Sequence, residues 1–134
     1  MKKLVKRVVI VFIVTFVLFG IFVASKMFLE ISRVRKEAAA IEFSELELSK
    51  LEDGDYYGSY SLGLISAKVR VSVSNGKIDN IEIVEHITGK GKKAEDIVEA
   101  VIDEQSVMVD TISGATYSSK IILKAIENAV NNPE

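Results

Sequence analysis

The chain has 134 residues, no cysteine and a single histidine, His86, which rules out disulfides, thiolate nucleophiles, iron–sulfur clusters and any triad or metal cage needing two histidines. Its net charge of −2 averages two unlike parts: residues 1–40 hold eight Lys/Arg against two Asp/Glu, and residues 41–134 hold nine against seventeen. An acidic domain without a basic stripe is a poor surface for nucleic acid, whose phosphates must be neutralised by clustered Lys/Arg, so that class is set aside.

From Val8 to Ala24 the sequence is apolar apart from Thr15 and Gly20. Extended through Leu29, the stretch reaches roughly 33 Å at about 1.5 Å per residue, enough to cross a bilayer core with Lys26 near one interface. Lys2, Lys3, Lys6 and Arg7 would also suit a signal peptide, but the apolar run is longer than such a region usually is. Val23-Ala24-Ser25 is also a mediocre cleavage site. Residues 1–29 are therefore expected to be a retained membrane anchor. Four basic residues precede the span, and Lys26, Arg33, Arg35 and Lys36 follow it closely, so the positive-inside rule barely separates the two orientations. The short N-terminal tail favours the N-terminus inside and the domain outside.

Residues 30–52 are rich in Glu, Ala, Lys, Arg and Leu and lack Gly and Pro, a composition that predicts a helical linker. Ser44 as N-cap with Glu47 three residues on fits a capping box, which places a break and restart near Phe43. The segment reads equally as a spacer above the membrane and as an ordinary connecting helix.

From Asp53 the pattern changes to short strands and then helices. Tyr56 to Leu62 and Ala67 to Val73 read as strands, the second alternating Val69, Val71 and Val73 with Lys68, Arg70 and Ser72. Asn75-Gly76 predicts a hairpin, because a type I′ turn needs positive φ at both central residues. Ile78 to Glu85 then returns antiparallel, with Ile81 and Ile83 inward. His86 to Lys93 is polar and glycine-spaced, a predicted loop. Glu95 to Glu104 predicts a helix burying Ile97, Val98, Val101 and Ile102, and Val107-Met108-Val109 a short strand. The last helix, about Ser118 to Val130, carries the stripe Ile121, Ile122, Ala125, Ile126, Ala129 and Val130. Strands ahead of helices imply an α+β domain over residues 53–131, a small antiparallel sheet with helices packed on one face.

Chemistry concentrates between Asp110 and Ser119. Gly114 and Ala115 remove bulk so that a ligand can approach the backbone. Thr116 offers a hydroxyl on the turn, and Ser118 or Ser119 is placed to N-cap the helix that follows. That helix start presents unpaired N–H groups and the positive end of its dipole, a ready anion site. On residue types alone, this reads first as a well-capped helix start. His86 has a titration range suited to tuning a bound group, and reads as well as a structural residue. Lys90, Lys92 and Lys93 read first as a solvated basic loop, with contact to a phosphate or to a partner protein as the sharper alternatives. Tyr117 is a candidate stacking residue or a packing one.

The segment D-x-x-S-G-A-T at Asp110–Thr116 resembles the flavinylation motif of the FMN-binding domain family. That family is known from the flavin-carrying subunits of Na⁺-pumping quinone reductases and Rnf-type complexes and from small members linked to extracellular electron transfer. The likeness continues through Asp53-Gly54-x-Tyr56 with Gly58, Asn75-Gly76-Lys77-Ile78, His86 with Gly89-x-Gly91 and Ala94-Glu95, and Gln105-Ser106 with Val109-Asp110. It spans about residues 53–131. Thr111 stands where many members have Gly or Ala, and the loop after His86 lacks the Glu-Thr-Pro-Gly of larger members.

The resemblance implies FMN as cofactor, joined by its phosphate to Thr116, with Asp110, Ser113, Gly114 and Ala115 as the recognition motif. It further implies a separate flavin transferase using FAD and Mg²⁺. Tyr117, Ser118 and His86 complete the expected cofactor-binding set. The expected role is that of a carrier in the cell membrane, its domain on the extracytoplasmic side, taking electrons from a membrane donor and passing them to a downstream acceptor. No base–nucleophile pair points to an enzyme. Two alternatives remain open: a sensory module that binds FMN or another phosphate ligand reversibly, and an anchored structural subunit whose site is empty.

Overall fold

The computed structural model describes residues 1–133, which form two compact units, one ending at Val34 and the other beginning at Arg35. Residues Lys2–Ala39 form a helix, α1. Its most apolar 18-residue window has a mean hydropathy of 3.0, and none of that window is buried. Phe12, Phe16, Phe19 and Phe28 stand fully out from the helix. With every interior backbone group bonded within the helix, such a segment is long and apolar enough to cross a bilayer.

The second unit is built on a three-stranded antiparallel meander, β1 (Gly54–Leu62), β2 (Ile65–Ser74) and β3 (Lys77–Ile87), in the spatial order β1-β2-β3. The β2–β3 hairpin turns at Asn75 and Gly76 with φ of +50° and +70°, the paired positive values that a type I′ turn demands. Alternation in β2 sends Ala67, Val69, Val71 and Val73 into the core. Arg70 lies on the opposite face beside Asp55, Glu82 and Tyr57, and hydrogen bonding to Tyr57 followed by the Glu82 charge raises its pKa above the usual guanidinium value.

Helices α2 (Ile97–Glu104) and α3 (Thr116–Asn131) cover the inner face, α3 across β1 and β2 and α2 against β3. The apolar stripe of α3 is wholly inside: Ile121, Ile122, Leu123, Ala125, Ile126 and Ala129 are each 0 % exposed. Helix and sheet meet most closely at Gly58. A β-carbon there would fall on the Ala129 N and the Ala125 O and lie 2.6 Å from the Ala129 Cα, so β1 touches the helix backbone itself. The layout is the α+β arrangement implied by strands preceding helices.

Three local expectations are corrected. Val107-Met108-Val109 forms no strand. Val107 is buried while Met108 is exposed, and the segment pairs with neither edge strand of the sheet. The helix expected from Glu95 begins as a 3₁₀ turn at Lys92–Asp96 and becomes α-helical only from Ile97. It ends at Gln105, in the left-handed region at φ +53°.

The third correction concerns the capping box. Helix α1 ends at Ala39, residues 41–47 are irregular, and helix resumes only as a 3₁₀ turn at Leu48–Lys50. Ser44 does not cap it. Its hydroxyl donates instead to Glu127 Oε1 at 2.8 Å, and the Glu47 N–H donates to Asn131 Oδ1 at 3.0 Å. Partners on α3 outcompeted the local cap. The Lys120 ammonium donates to the Ala38 carbonyl at 3.0 Å, the Lys124 ammonium to the Glu42 carbonyl at 3.1 Å, and the Asn131 amide to the Glu45 carbonyl at 3.1 Å. Residues 38–48 thus form a strap along α3, with Ala38 and Leu48 buried.

Gln105 joins α2 to β3. Its side-chain oxygen accepts the Ile78 N–H at 2.7 Å, and its amide nitrogen donates to the Ile78 carbonyl at 2.9 Å and the Ile102 carbonyl at 2.7 Å. An amide that replaces a ladder partner is worth more than a surface contact, because its loss leaves part-buried backbone groups unpaired. Gln105→Ala is expected to lower unfolding free energy by about 1–3 kcal/mol, read from urea denaturation followed by circular dichroism.

Candidate functional site

The turn into α3 is set by a backbone requirement at Gly114. The Ala115 N–H donates to the Ile112 carbonyl at 2.9 Å, closing a four-residue turn whose third residue, Gly114, has φ +76°. That is the position at which a type II turn demands positive φ. The Ser119 hydroxyl ties the two ends together, accepting the Ile112 N–H at 3.1 Å and donating to the Ala115 carbonyl at 2.8 Å. Ser119 is 0 % exposed, so this clasp lies under the turn and out of solvent.

Helix α3 starts at Thr116, and its N-cap is Ala115, with no side-chain cap. The expectation that Ser118 or Ser119 caps the helix is therefore corrected. Both lie inside the first turn, Ser119 in the clasp and Ser118 in contact with Thr88 across 3.0 Å between hydroxyls. The consequence is chemical. The N-cap residue offers no side-chain bond to the leading N–H groups, and the Ser119 N–H donates to the Ala115 carbonyl at 2.9 Å. Thr116 is exposed at the first helical position, where the unpaired N–H groups and the helix dipole favour an anion.

The motif residues separate by exposure. Asp110, Ser113, Gly114, Thr116 and Tyr117 are exposed, while Ala115 and Ser118 are buried at 6 % and 4 %. The first five are open to solvent. Ala115 holds the turn against the core, and Ser118 anchors a second loop to it.

That second loop is the part that residue-by-residue reading leaves out. The Gly91 N–H donates to the Thr88 hydroxyl at 3.1 Å, and the same hydroxyl meets Ser118. A β-carbon on Gly91 would fall on the Ser118 Oγ and 2.6 Å from the Thr88 Oγ1. Only glycine lets this loop close over the helix start. The 3₁₀ turn that follows carries Lys93 toward Gly114, where a β-carbon would lie 3.0 Å from the Lys93 Nζ and 3.4 Å from its Cε.

His86 is on β3, not on the predicted loop, and its side chain is only 2 % exposed. It pairs with Ala67 in the ladder and so faces the helix layer. Its Nδ1 lies 2.9 Å from Glu95 Oε1, while Nε2 is buried without a hydrogen-bond partner. His86 therefore fastens the 3₁₀ turn bearing Lys93 to the sheet. The Gly89-x-Gly91 spacing marked a loop in the sequence, but nothing in the sequence placed that loop on Ser118.

Residues 63–131, half of the chain, match the family model described as the FMN-binding domain. The match includes β2, β3, both covering helices and the whole Asp110–Thr116 segment, and it begins after β1. The chain is also similar to an uncharacterized protein of Treponema pallidum (strain Nichols), at 28 % identity over 89 residues. That alignment takes in 64 % of this chain and 25 % of the relative, so the chain spans about a quarter of that protein's length. With the matched region containing the glycine turn, the bare helix start and the exposed hydroxyl, the chain belongs to the FMN-binding domain family and takes FMN as its cofactor.

Proposed function

We propose that the protein is a membrane-anchored electron carrier whose FMN is joined through its phosphate to the Thr116 hydroxyl. The observation that carries this reading is the setting of Thr116. It is an exposed hydroxyl at the first position of α3, whose N-cap supplies no side chain, just past a glycine with positive φ. An esterified phosphate at that oxygen keeps a negative charge, and the helix start supplies N–H donors and a positive dipole end to receive it. A side-chain cap from Ser118 or Ser119 would have competed with the phosphate for those donors. Both hydroxyls are committed elsewhere.

The other groups have supporting roles. Ser113 and Asp110 are exposed on the approach to the turn, where a flavin transferase drawing on FAD and Mg²⁺ reads them. Ala115 and the Ser119 clasp hold the turn in shape. Tyr117, 37 % exposed beside Thr116, offers an aromatic face to the flavin ring. Ser118 acts at one remove by holding the Thr88–Gly91 loop, and His86 by holding Glu95. When bound, FMN supplies the redox chemistry, and the polypeptide supplies position and electrostatics. The long apolar helix α1 keeps the carrier at the membrane, single-pass, with its domain on the extracytoplasmic side. It passes electrons from a donor in the bilayer to a downstream acceptor.

The test is coexpression of the chain with an active flavin transferase, followed by a denaturing gel viewed under ultraviolet light. The wild-type band is expected to fluoresce, Thr116→Ser to fluoresce, and Thr116→Ala to be dark. A dark wild-type band beside a labelled control substrate would end the covalent reading. Flavin that copurifies but is released by denaturation would replace it with reversible binding.

A further inference from the structure

We infer that Lys93 is the positioning cation of the flavin phosphate, acting both when the ester at Thr116 forms and after it has formed. The inference rests on the reading of Thr116 as the attachment residue and deepens it by naming the group that neutralises the incoming charge. Three observations lead to it.

The first is proximity. The Lys93 ammonium lies against the bare face of Gly114, 3.0 Å from where a β-carbon would stand. Gly114 is two residues before Thr116, inside the turn whose bond from the Ala115 N–H to the Ile112 carbonyl delivers Thr116 to the helix start. Absence of a side chain at Gly114 serves two ends here: the positive φ and the space that the lysine fills.

The second is how firmly the bearing segment is held. Lys93 follows Gly91 by two residues. Gly91 is seated on Ser118 and Thr88, the Ala94 N–H donates to the Gly91 carbonyl at 2.9 Å, and Glu95 is tied to buried His86. A lysine in a free basic loop has its ammonium wherever solvent allows. This one leaves a 3₁₀ turn fixed on both sides, one fastening being the first turn of α3 itself.

The third is that the charge is unspent. Among the described residues, no carboxylate lies within ion-pair distance of Lys93, whereas Lys50 and Lys124 each have one. Glu95 and Asp96 share its 3₁₀ turn, yet Glu95 is drawn inward by His86 and Asp96 is exposed. An unpaired ammonium carried by a held turn beside an uncapped helix start is matched in charge to a phosphodiester.

The reaction balances as follows. The Thr116 Oγ1 forms a bond to the flavin-side phosphorus of FAD, the pyrophosphate P–O bond breaks, AMP leaves, and the threonine proton passes to a base of the transferase. Negative charge on the non-bridging oxygens is what Lys93 meets. Phosphoryl transfer is catalysed almost wholly by positioning and electrostatic stabilisation, so one misplaced cation is felt strongly in rate.

The experiment uses the full-length chain with flavin transferase, FAD and Mg²⁺, and compares Lys93→Met and Lys93→Arg with Lys90→Met and Lys92→Met. Initial labelling rates come from in-gel fluorescence. Lys93→Met is expected to slow labelling about ten- to hundredfold, less than the roughly hundred- to thousandfold lost when a preorganised donor is removed from a water-excluded site, because Lys93 is exposed. Lys93→Arg should recover most of the rate, and the other two variants should stay near wild type. Urea midpoints of the unlabelled proteins should agree, since Lys93 is exposed. The ³¹P resonance of the attached phosphodiester, recorded on samples labelled to completion, should differ between wild type and Lys93→Met.

A labelled wild type with Lys93→Met equal to it in both rate and ³¹P position overturns the role of Lys93 alone. A slowed rate with an unmoved ³¹P resonance also overturns it, because the lysine would then be docking the transferase. A wild type that takes no label overturns the Thr116 reading and this inference with it.

Discussion

Gly58→Ala is expected to destabilise the domain by about 3 kcal/mol or more, at the upper end of what an added core methyl costs. The size follows from what the new atom meets. It falls on the Ala129 N and the Ala125 O and within 2.6 Å of the Ala129 Cα, all of them helix backbone, which cannot rotate aside as a side chain would. Helix α3 must then lift from β1, opening space around Ile122, Ile126 and Val69, each buried at 0 %. Thermal or urea denaturation of the wild type and variant measures the effect. A loss below about 1 kcal/mol would mean that helix and strand do not meet backbone to side-chain position at Gly58. The effect should extend to the site, since Thr116 is carried by the same helix. Labelling of Gly58→Ala by flavin transferase should fall even at temperatures where the variant remains folded.

The second large effect is expected from the strap. A fragment beginning at Arg35 should fold, whereas one beginning at Asp53 should lose about 3–6 kcal/mol and be largely unfolded if the parent stability is near the lower end of the usual range. Removal of residues 35–52 uncovers the surface that Ala38 and Leu48 bury and strands four polar side chains of α3. Glu127 suffers most. Its carboxylate is 5 % exposed, accepts from Ser44 at 2.8 Å and pairs with Lys124 at 2.9 Å, and its Oε2 already lacks a partner. Buried charge is costly when one of its bonds is withdrawn. Urea unfolding of the two fragments decides the matter, and equal stabilities would show that the strap merely lies on the helix. The variant Glu127→Gln separates the two contributions, because an amide keeps the shape but removes the buried charge.

What could be read from the sequence was whatever local chemistry settles without help. Asn75-Gly76 announced its turn because so few residues accept positive φ twice in succession. The valines of β2 and the isoleucines of α3 announced their faces because burial imposes a period. The motif from Asp110 to Thr116 was legible as a unit and lies where a unit should, across one turn and a helix start. Three misreadings share a cause. Ser44, Ser118 and Ser119 are all good capping residues, and none of them caps. Each hydroxyl found a partner distant in sequence or beneath the turn: Glu127, Thr88 and the Ile112 N–H. Local propensity states what a serine does when nothing better is offered. Lys93 was obscured in the same way, since a lysine among Lys90 and Lys92 looks like solvated charge until Gly91 is seen seated on Ser118. Val107-Met108-Val109 had the composition of a strand, but a strand also needs a neighbour.

The strap has a consequence for the order in which the protein can be made. Its bonds to α3 join residues 81 to 87 positions apart, and one partner in each is among the first residues of the domain to leave the ribosome. The other is among the last. During synthesis the strap therefore waits, with Ala38 and Leu48 uncovered, until α3 has emerged, and long-range pairings of this kind are slow to close. The turn bearing Thr116 takes its shape only with the same helix. Maturation thus has a built-in sequence of events: anchor first, sheet second, then strap and site together. If FMN is attached at Thr116 as proposed, a flavin transferase that requires the folded turn meets its substrate only after translation, and cofactor loading becomes a checkpoint for a finished chain.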